Sequence, residues 1–280
     1  MSSPLLALRM LLRDAFGALR GRDVALVSAG LTFYAGIAVV PSLLVAIWAA
    51  SLAVGNAQLD EWARTLGEAL PEALGAPDAA RALVEAALDL SVLGALIAAF
   101  PASLYGEGLR RSFLALERRT EALAGWRGRL RALPLLVVAP LAVMGVLLTT
   151  PWLARFFDSG RPGPTALGVF IALVADWLVL SLPLSYTYRV VGRSTRTWAS
   201  ALWSGFTTAS FISGFLQGFV LFLALPLDLG APFGGLTVIG AVVAVGLWMW
   251  VLHMVLLVGY TLTLALEERG GNPFRLPYSL

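Results

Sequence analysis

Between Val24 and Val54 the chain runs for 31 residues, VALVSAGLTFYAGIAVVPSLLVAIWAASLAV, without a charged side chain. A bilayer hydrocarbon core about 30 Å thick is crossed by roughly 20 apolar residues of helix. The stretch therefore spans a membrane with length to spare, and the excess is taken up by tilt or by helix beyond the interface. Arg20 and Arg22 stand directly before it, and Asp60 and Glu61 follow after a short gap. Five further apolar runs fall in behind it, at about residues 88–105, 132–154, 165–188, 197–225 and 236–266. The expected fold class is all-α, a polytopic membrane protein with one six-helix transmembrane domain over residues 24–268 and a cytoplasmic tail at 269–280.

Composition agrees with that class. Only 13% of residues are charged, against about 25% in soluble domains, and the mean hydropathy is +0.82. The chain has no Cys and one His, which excludes disulfides, thiol catalysis and His-rich zinc centres. All 20 basic residues are Arg; without Lys there is no Walker A loop and no Schiff-base chemistry. No cofactor and no enzymatic activity are expected. A pI of about 9.7 is compatible with nucleic acid, but Arg concentrated in loops on one side of a membrane is the better account.

Residues 1–23 carry Leu5, Leu8, Leu12, Phe16 and Leu19 at helical spacing, with Arg9, Arg13 and Arg20 elsewhere. The pattern predicts a basic amphipathic helix lying on headgroups rather than a signal peptide. Residues 57–89 hold seven acids against two Arg and predict an outer amphipathic helical hairpin, its second helix starting near Asp78 and running straight into the second span. The segment GEGLRRSFLALERRTEALAGWRGRLR then brings seven Arg, which the spacing assigns to a loop between spans 2 and 3. With both termini inside, sixteen Arg face the cytoplasm and four the exterior (Arg64, Arg81, Arg155, Arg161), so the positive-inside rule predicts N-in/C-in.

Few residues could carry chemistry. Asp176 is the twelfth of 24 residues in the fourth span. A carboxylate at that depth costs about 2.5–3.5 kcal/mol on insertion scales and faces the bundle or water; it is either a proton or substrate site or a hydrogen-bonded link between helices. His253 in span 6 is a relay partner for Asp176 or a neutral imidazole bonded to a neighbouring helix. Gln217 in span 5 offers a weaker version of the same choice. Glu107, Arg110 and Arg111 sit where span 2 meets the inner interface, with Glu107 and Arg111 in the favourable i,i+4 order. They form an inner gate or headgroup site, Arg being suited to bidentate phosphate, or an ordinary anchored pair. The seven Arg, with Trp126, point to anionic lipid at the cytoplasmic face rather than nucleic acid. Pro41, Pro101, Pro140 and Pro183 interrupt spans 1–4, as in broken transport helices or as tolerated kinks. Ser210, Gly214 and Gly218 form a small-residue ridge that could pack within the bundle or pair two copies.

The opening ALVSAGLTFYAGIAVVPSLLV, the segment GEGLRRSFLALER, the run SLPLSYTYRVVGRSTRTWASALWSG and the closing LWMWVLHMVLLVGYTLTLALEER together resemble the YihY/BrkB family of bacterial inner-membrane proteins, over residues 10–268. The resemblance implies about six helices in the bacterial cytoplasmic membrane. It also implies a link to the envelope, one branch being associated with serum resistance and another with export of lipid A precursors. A ribonuclease label attached to some members gains no support here, since metal nucleases need clustered His and carboxylates. The expected function is a transporter or flippase for a lipid or amphiphilic solute, without ATP hydrolysis of its own. The alternative is a non-transporting scaffold that organises envelope proteins.

Overall fold

The computed structural model describes residues 4–55, 57, 59, 61, 64, 76–157, 162–192, 197–223 and 229–275. Those residues form eight α-helices: α1 (Pro4–Gly17), α2 (Val24–Val54), α3 (Ala76–Leu88), α4 (Val92–Glu117), α5 (Ala124–Phe157), α6 (Pro162–Tyr186), α7 (Trp198–Leu223) and α8 (Thr237–Glu267). A π-helical turn, Thr187–Val191, extends α6, and a short 3₁₀ turn, Ala231–Phe233, precedes α8. There is no strand among the described residues.

The six long helices close into a ring. α2 packs on α4, α4 on α5, α5 on α6, α6 on α7, α7 on α8, and α8 returns to α2. The ring is lined by side chains that suit close helix packing in lipid: Ser28, Ser103, Ser181, Ser185, Ser204, Thr208 and Thr261 are all buried. Large apolar side chains such as Leu26, Phe33, Leu96, Phe100, Phe211 and Val242 point outward instead. Small residues inside let backbones approach, as helix packing in hydrocarbon favours, and they sit among a buried cluster that includes Leu31, Leu109, Phe113, Leu257 and Tyr260. Three helices, Val24–Ala53 in α2, α4 and α8, are long and apolar enough to cross a membrane among the described residues.

Several boundaries differ from expectation, each for a local reason. The second helix of the 57–89 region does not run on into the next span: Ser91 caps α4 by accepting a hydrogen bond from the Gly94 amide at 3.1 Å, which ends α3 at Leu88. Most of the first arm of that hairpin lies outside the described residues. Residues 106–117 are not loop; α4 carries through GEGLRRSFLALE as helix, and α5 already begins at Ala124. The Arg-rich connection is therefore only residues 118–123, and Arg127, Arg129 and Arg131 ride on the first turns of α5. Arg129 pairs across the α4–α5 seam with Glu107, and Arg127 pairs with Glu121 in the connection.

α1 docks on α8 by burying Leu11 and Ala15 against Ala265 and Leu266, and Ala7 is buried too. The stripe of Leu5, Leu8, Leu12 and Phe16 stays exposed on its other side. Arg269, 1% exposed, clasps the helix: its guanidinium donates to the Ala7 carbonyl at 2.9 Å and to Asp14. The connections gather at this same end. Arg118 lies against Gly21, Arg110 reaches Gly192, and the Thr197 amide donates to Glu267 at 3.1 Å.

Candidate functional site

The Arg-rich end of the ring is built on a near-touching crossing of α4 and α5. Gly106 faces Gly128 so closely that a Cβ on Gly106 would lie 2.6 Å from the Gly128 carbonyl oxygen. One turn along, Gly125 leaves room for the Glu107 carboxylate, which a Cβ there would meet at 2.8 Å. Glu107 accepts from Arg111 Nε at 2.8 Å through Oε1, and from Arg129 Nε at 2.8 Å and Nη2 at 2.6 Å through Oε2. The Arg129 guanidinium is sandwiched, with its carbon 4.9 Å from the Phe100 ring centre and 5.2 Å from that of Trp126.

These groups wall an open cup of about 350 Å³ that also takes in Glu121 and Leu123. The Arg111 side chain is 58% exposed at its rim. Each guanidinium carries five N–H donors, and only some of them are used on Glu107, so the cup presents unspent donors beside an exposed indole. Its carboxylates are saturated by Arg. Glu121 accepts from Arg127 and from Arg110, and those hydrogen bonds hold its carboxyl down to about 2.

Arg110 and Arg111, adjacent in sequence, do different things. Arg110 is 6% exposed and turns inward. Besides Glu121 it donates to the carbonyls of Val191, at 3.3 Å, and Gly192. Those carbonyls belong to the π-helical turn, where the Gly192 amide bonds the Thr187 carbonyl five residues back. As the last carbonyls of the helix end they have no intrahelical partner, and Arg110 satisfies them. Beneath it Phe113 stacks on Tyr260 with ring centres 4.0 Å apart. Tyr260 donates to Glu117, and Tyr188 donates to the Leu256 carbonyl at 2.8 Å, with the Thr208 hydroxyl 3.1 Å from its oxygen. This aromatic plug, fully buried, seals the ring at that end.

His253 occupies a second polar site, between α2, α4 and α8. Its Nδ1 lies 2.9 Å from Thr32 Oγ1 and its Nε2 lies 3.1 Å from the Tyr105 hydroxyl. Thr32 already spends its only proton on the Ser28 carbonyl at 2.8 Å. The network therefore assigns the proton to Nδ1, which donates to Thr32, while Nε2 accepts from Tyr105. Neither ring nitrogen meets Asp176. That residue is half-buried on α6 and has an interaction partner of its own. Gln217 lies on α7, its side chain outside the described residues. Along the Ser210 ridge, Gly214 faces open space and Gly218 faces Trp248 at 3.6 Å.

The structure thus gathers Glu107 and Arg111 as the spacing suggested, and adds Arg129, which lies 22 residues away from Glu107. Arg129 carries no sequence signal beyond its place in a basic run. Tyr105 and Thr32 were equally silent, being ordinary apolar-span residues until a helix brings them to His253. No group of three His, Asp or Glu that could hold a metal occurs among the described residues. No curated protein and no solved structure matches the chain. A family model described as virulence factor BrkB matches residues 15–277, nearly the whole apolar bundle with its Arg-rich end, and the chain is a member of that family of membrane proteins.

Proposed function

We propose that the protein is a six-span, N-in/C-in transporter of the bacterial cytoplasmic membrane. It would move a lipid or amphiphilic solute with an anionic headgroup, as a flippase does, with no ATPase, cofactor or catalytic step of its own. The observation that carries this reading is the cup at the Arg-rich end. Arg111 and Arg129 hold unspent donors beside Trp126, at the depth where headgroups lie if the sixteen Arg of the positive-inside count face the cytoplasm. The gathering of α1, the 118–123 turn, the Thr187–Gly192 turn, Thr197 and the end of α8 at one end of the ring supports an even number of crossings. Anionic lipids are the expected partners, and nucleic acid is not.

The test is transbilayer movement of a fluorescent phosphatidylglycerol in liposomes holding the full-length protein. Movement should exceed that of protein-free liposomes, fall about tenfold in Arg111→Gln, and vanish in Asp176→Asn at normal expression. Movement no faster than in empty liposomes would defeat the reading and favour the envelope scaffold.

A further inference from the structure

Leu123 breaks two local rules at the mouth of the Glu107 cup, which it lines. Its backbone is left-handed, with φ 59°, a conformation that favours Gly or Asn over a bulky side chain. It also stands directly before α5, where its carbonyl accepts from the Arg127 amide at 3.0 Å. That N-cap position favours Ser, Thr, Asp, Asn or Gly and disfavours Leu. The side chain gains no burial in return, being 68% exposed. A residue that goes against its backbone, its helix end and its solvent together marks a place where something else must cover it.

The rest of the rim is apolar as well. Phe100 and Trp126, the two rings that bracket the Arg129 guanidinium, are each more than half exposed. Phe100 shares a face of α4 with Leu93 and Ile97, and Trp126 shares a face of α5 with Leu130 and Leu133, all of them exposed. The cup therefore opens onto the apolar outer side of the α4–α5 pair. Its polar wall is cationic in what it has left to offer. Arg129 spends Nε and Nη2 on Glu107, and Arg111 spends Nε there and keeps Nη2 beside it, so Nη1 of both remains. Glu107 and Glu121 each already accept from two Arg, which leaves an ammonium group no free acceptor. A water-soluble anion would use the guanidiniums and leave Leu123, Trp126 and Phe100 bare. Resting on the cup as a headgroup site, we propose that its ligand is a membrane phospholipid that enters sideways from the adjoining leaflet. Its phosphate lies between Arg111 and Arg129, the start of its chains crosses Leu123 and Trp126, and one chain follows the outer seam of α4 and α5 past Phe100 and Leu130. Guanidinium forks suit the phosphate oxygens, and an indole at the headgroup level suits the join of head and chain.

Native mass spectrometry of the full-length protein in detergent, with phosphatidylglycerol offered, should find one lipid retained per chain. Glycerophosphoglycerol, the same headgroup without chains, should not displace it; displacement at equal concentration would overturn the proposal in favour of a soluble anion. Leu123→Gly separates ligand from scaffold. It frees the left-handed position of its Cβ, so the Tm in lipid-free detergent should hold or rise while retention falls about tenfold. A lower Tm with retention intact would sink the proposal. Arg9→Gln with Arg13→Gln, removing two charges from exposed positions of the same end, should keep the lipid, and a loss equal to that of Leu123→Gly would count against the cup. A phosphatidylglycerol carrying a diazirine in one acyl chain should cross-link to the peptides that hold Phe100 and Leu130, whereas labelling spread evenly over the other helices would refute the seam. Retention without transbilayer movement keeps this site and removes the transport reading. Undiminished movement in a variant that retains no lipid does the reverse.

Discussion

Glu107 holds guanidiniums from two helices on one carboxylate, and its removal leaves Arg129, only 16% exposed, without a counter-charge. Breaking a buried pair by deleting one partner costs about 3–5 kcal/mol. Arg111 is more than half exposed and recovers water, so Glu107→Gln should cost roughly 2–3 kcal/mol. A thermal melt in detergent would read this as a lower Tm, and adding Arg129→Gln should restore part of it, a non-additivity that a double-mutant cycle measures. Glu121 makes the same end sensitive to acid. Its carboxyl, held down to about 2 by Arg127 and Arg110, sits below the unfolded value of about 4.3. The stability it contributes is complete above about pH 4.3 and is lost as pH falls through about 2. Melts taken from pH 6 to 2.5 should show wild type losing more Tm than Glu121→Gln; parallel curves would refute it. Which acids matter was only half legible in the sequence. Glu107 and Arg111 announce themselves at i,i+4, because that distance is fixed by one helix. Glu121, in a short turn among seven Arg, gives no sign of which it serves.

At the scale of elements, the α4–α5 crossing depends on having no side chain at Gly106 and Gly128. Gly128→Val puts a Cβ against the Gly106 carbonyl and the Arg110 side chain, where backbone cannot yield. Overpacking of this kind costs about 1–3 kcal/mol and should also unseat Glu107. Gly214→Val, with nothing within 4 Å, should leave the melt within about 0.5 kcal/mol of wild type. The contrast inverts the sequence pattern, in which the Gly214 ridge has the recognisable spacing and Gly106 and Gly128 have none. Spacing along one helix identifies a smooth face; only the partner helix identifies a crossing. α1 teaches the same point. Its apolar stripe is plain in the sequence, yet the helix buries Ala7, Leu11 and Ala15 and keeps the stripe outward. Arg269→Gln removes the clasp on Ala7 and Asp14. Amide exchange should then quicken in residues 4–17 while α8 keeps its protection; uniform protection across both would refute the clasp.

For the whole molecule, orientation is open to direct measurement because the native chain lacks cysteine. Single Cys residues at 119 and at 234 should label from opposite faces of sealed vesicles with an impermeant thiol reagent, and positions 119 and 272 from the same face. Labelling of 119 and 272 from opposite faces would defeat the six-span, N-in/C-in arrangement. Membrane residence, helical class, the approximate bounds of α2, α6, α7 and α8 and the family were determined by sequence alone, while the extent of α4 and α5 was not. Each follows from local runs: uncharged length fixes a helix in hydrocarbon, since every backbone group must be satisfied within the segment. The tertiary structure alone decided which polar groups meet. Arg129 reaches Glu107 across a glycine crossing, Arg110 turns to the carbonyls of a π-turn, and His253 finds Thr32 and Tyr105 rather than Asp176. Those pairings depend on how the helices are rotated about their axes and where they cross. Closely packed small residues set both, and such residues leave almost no periodic trace in a chain that is apolar nearly all round.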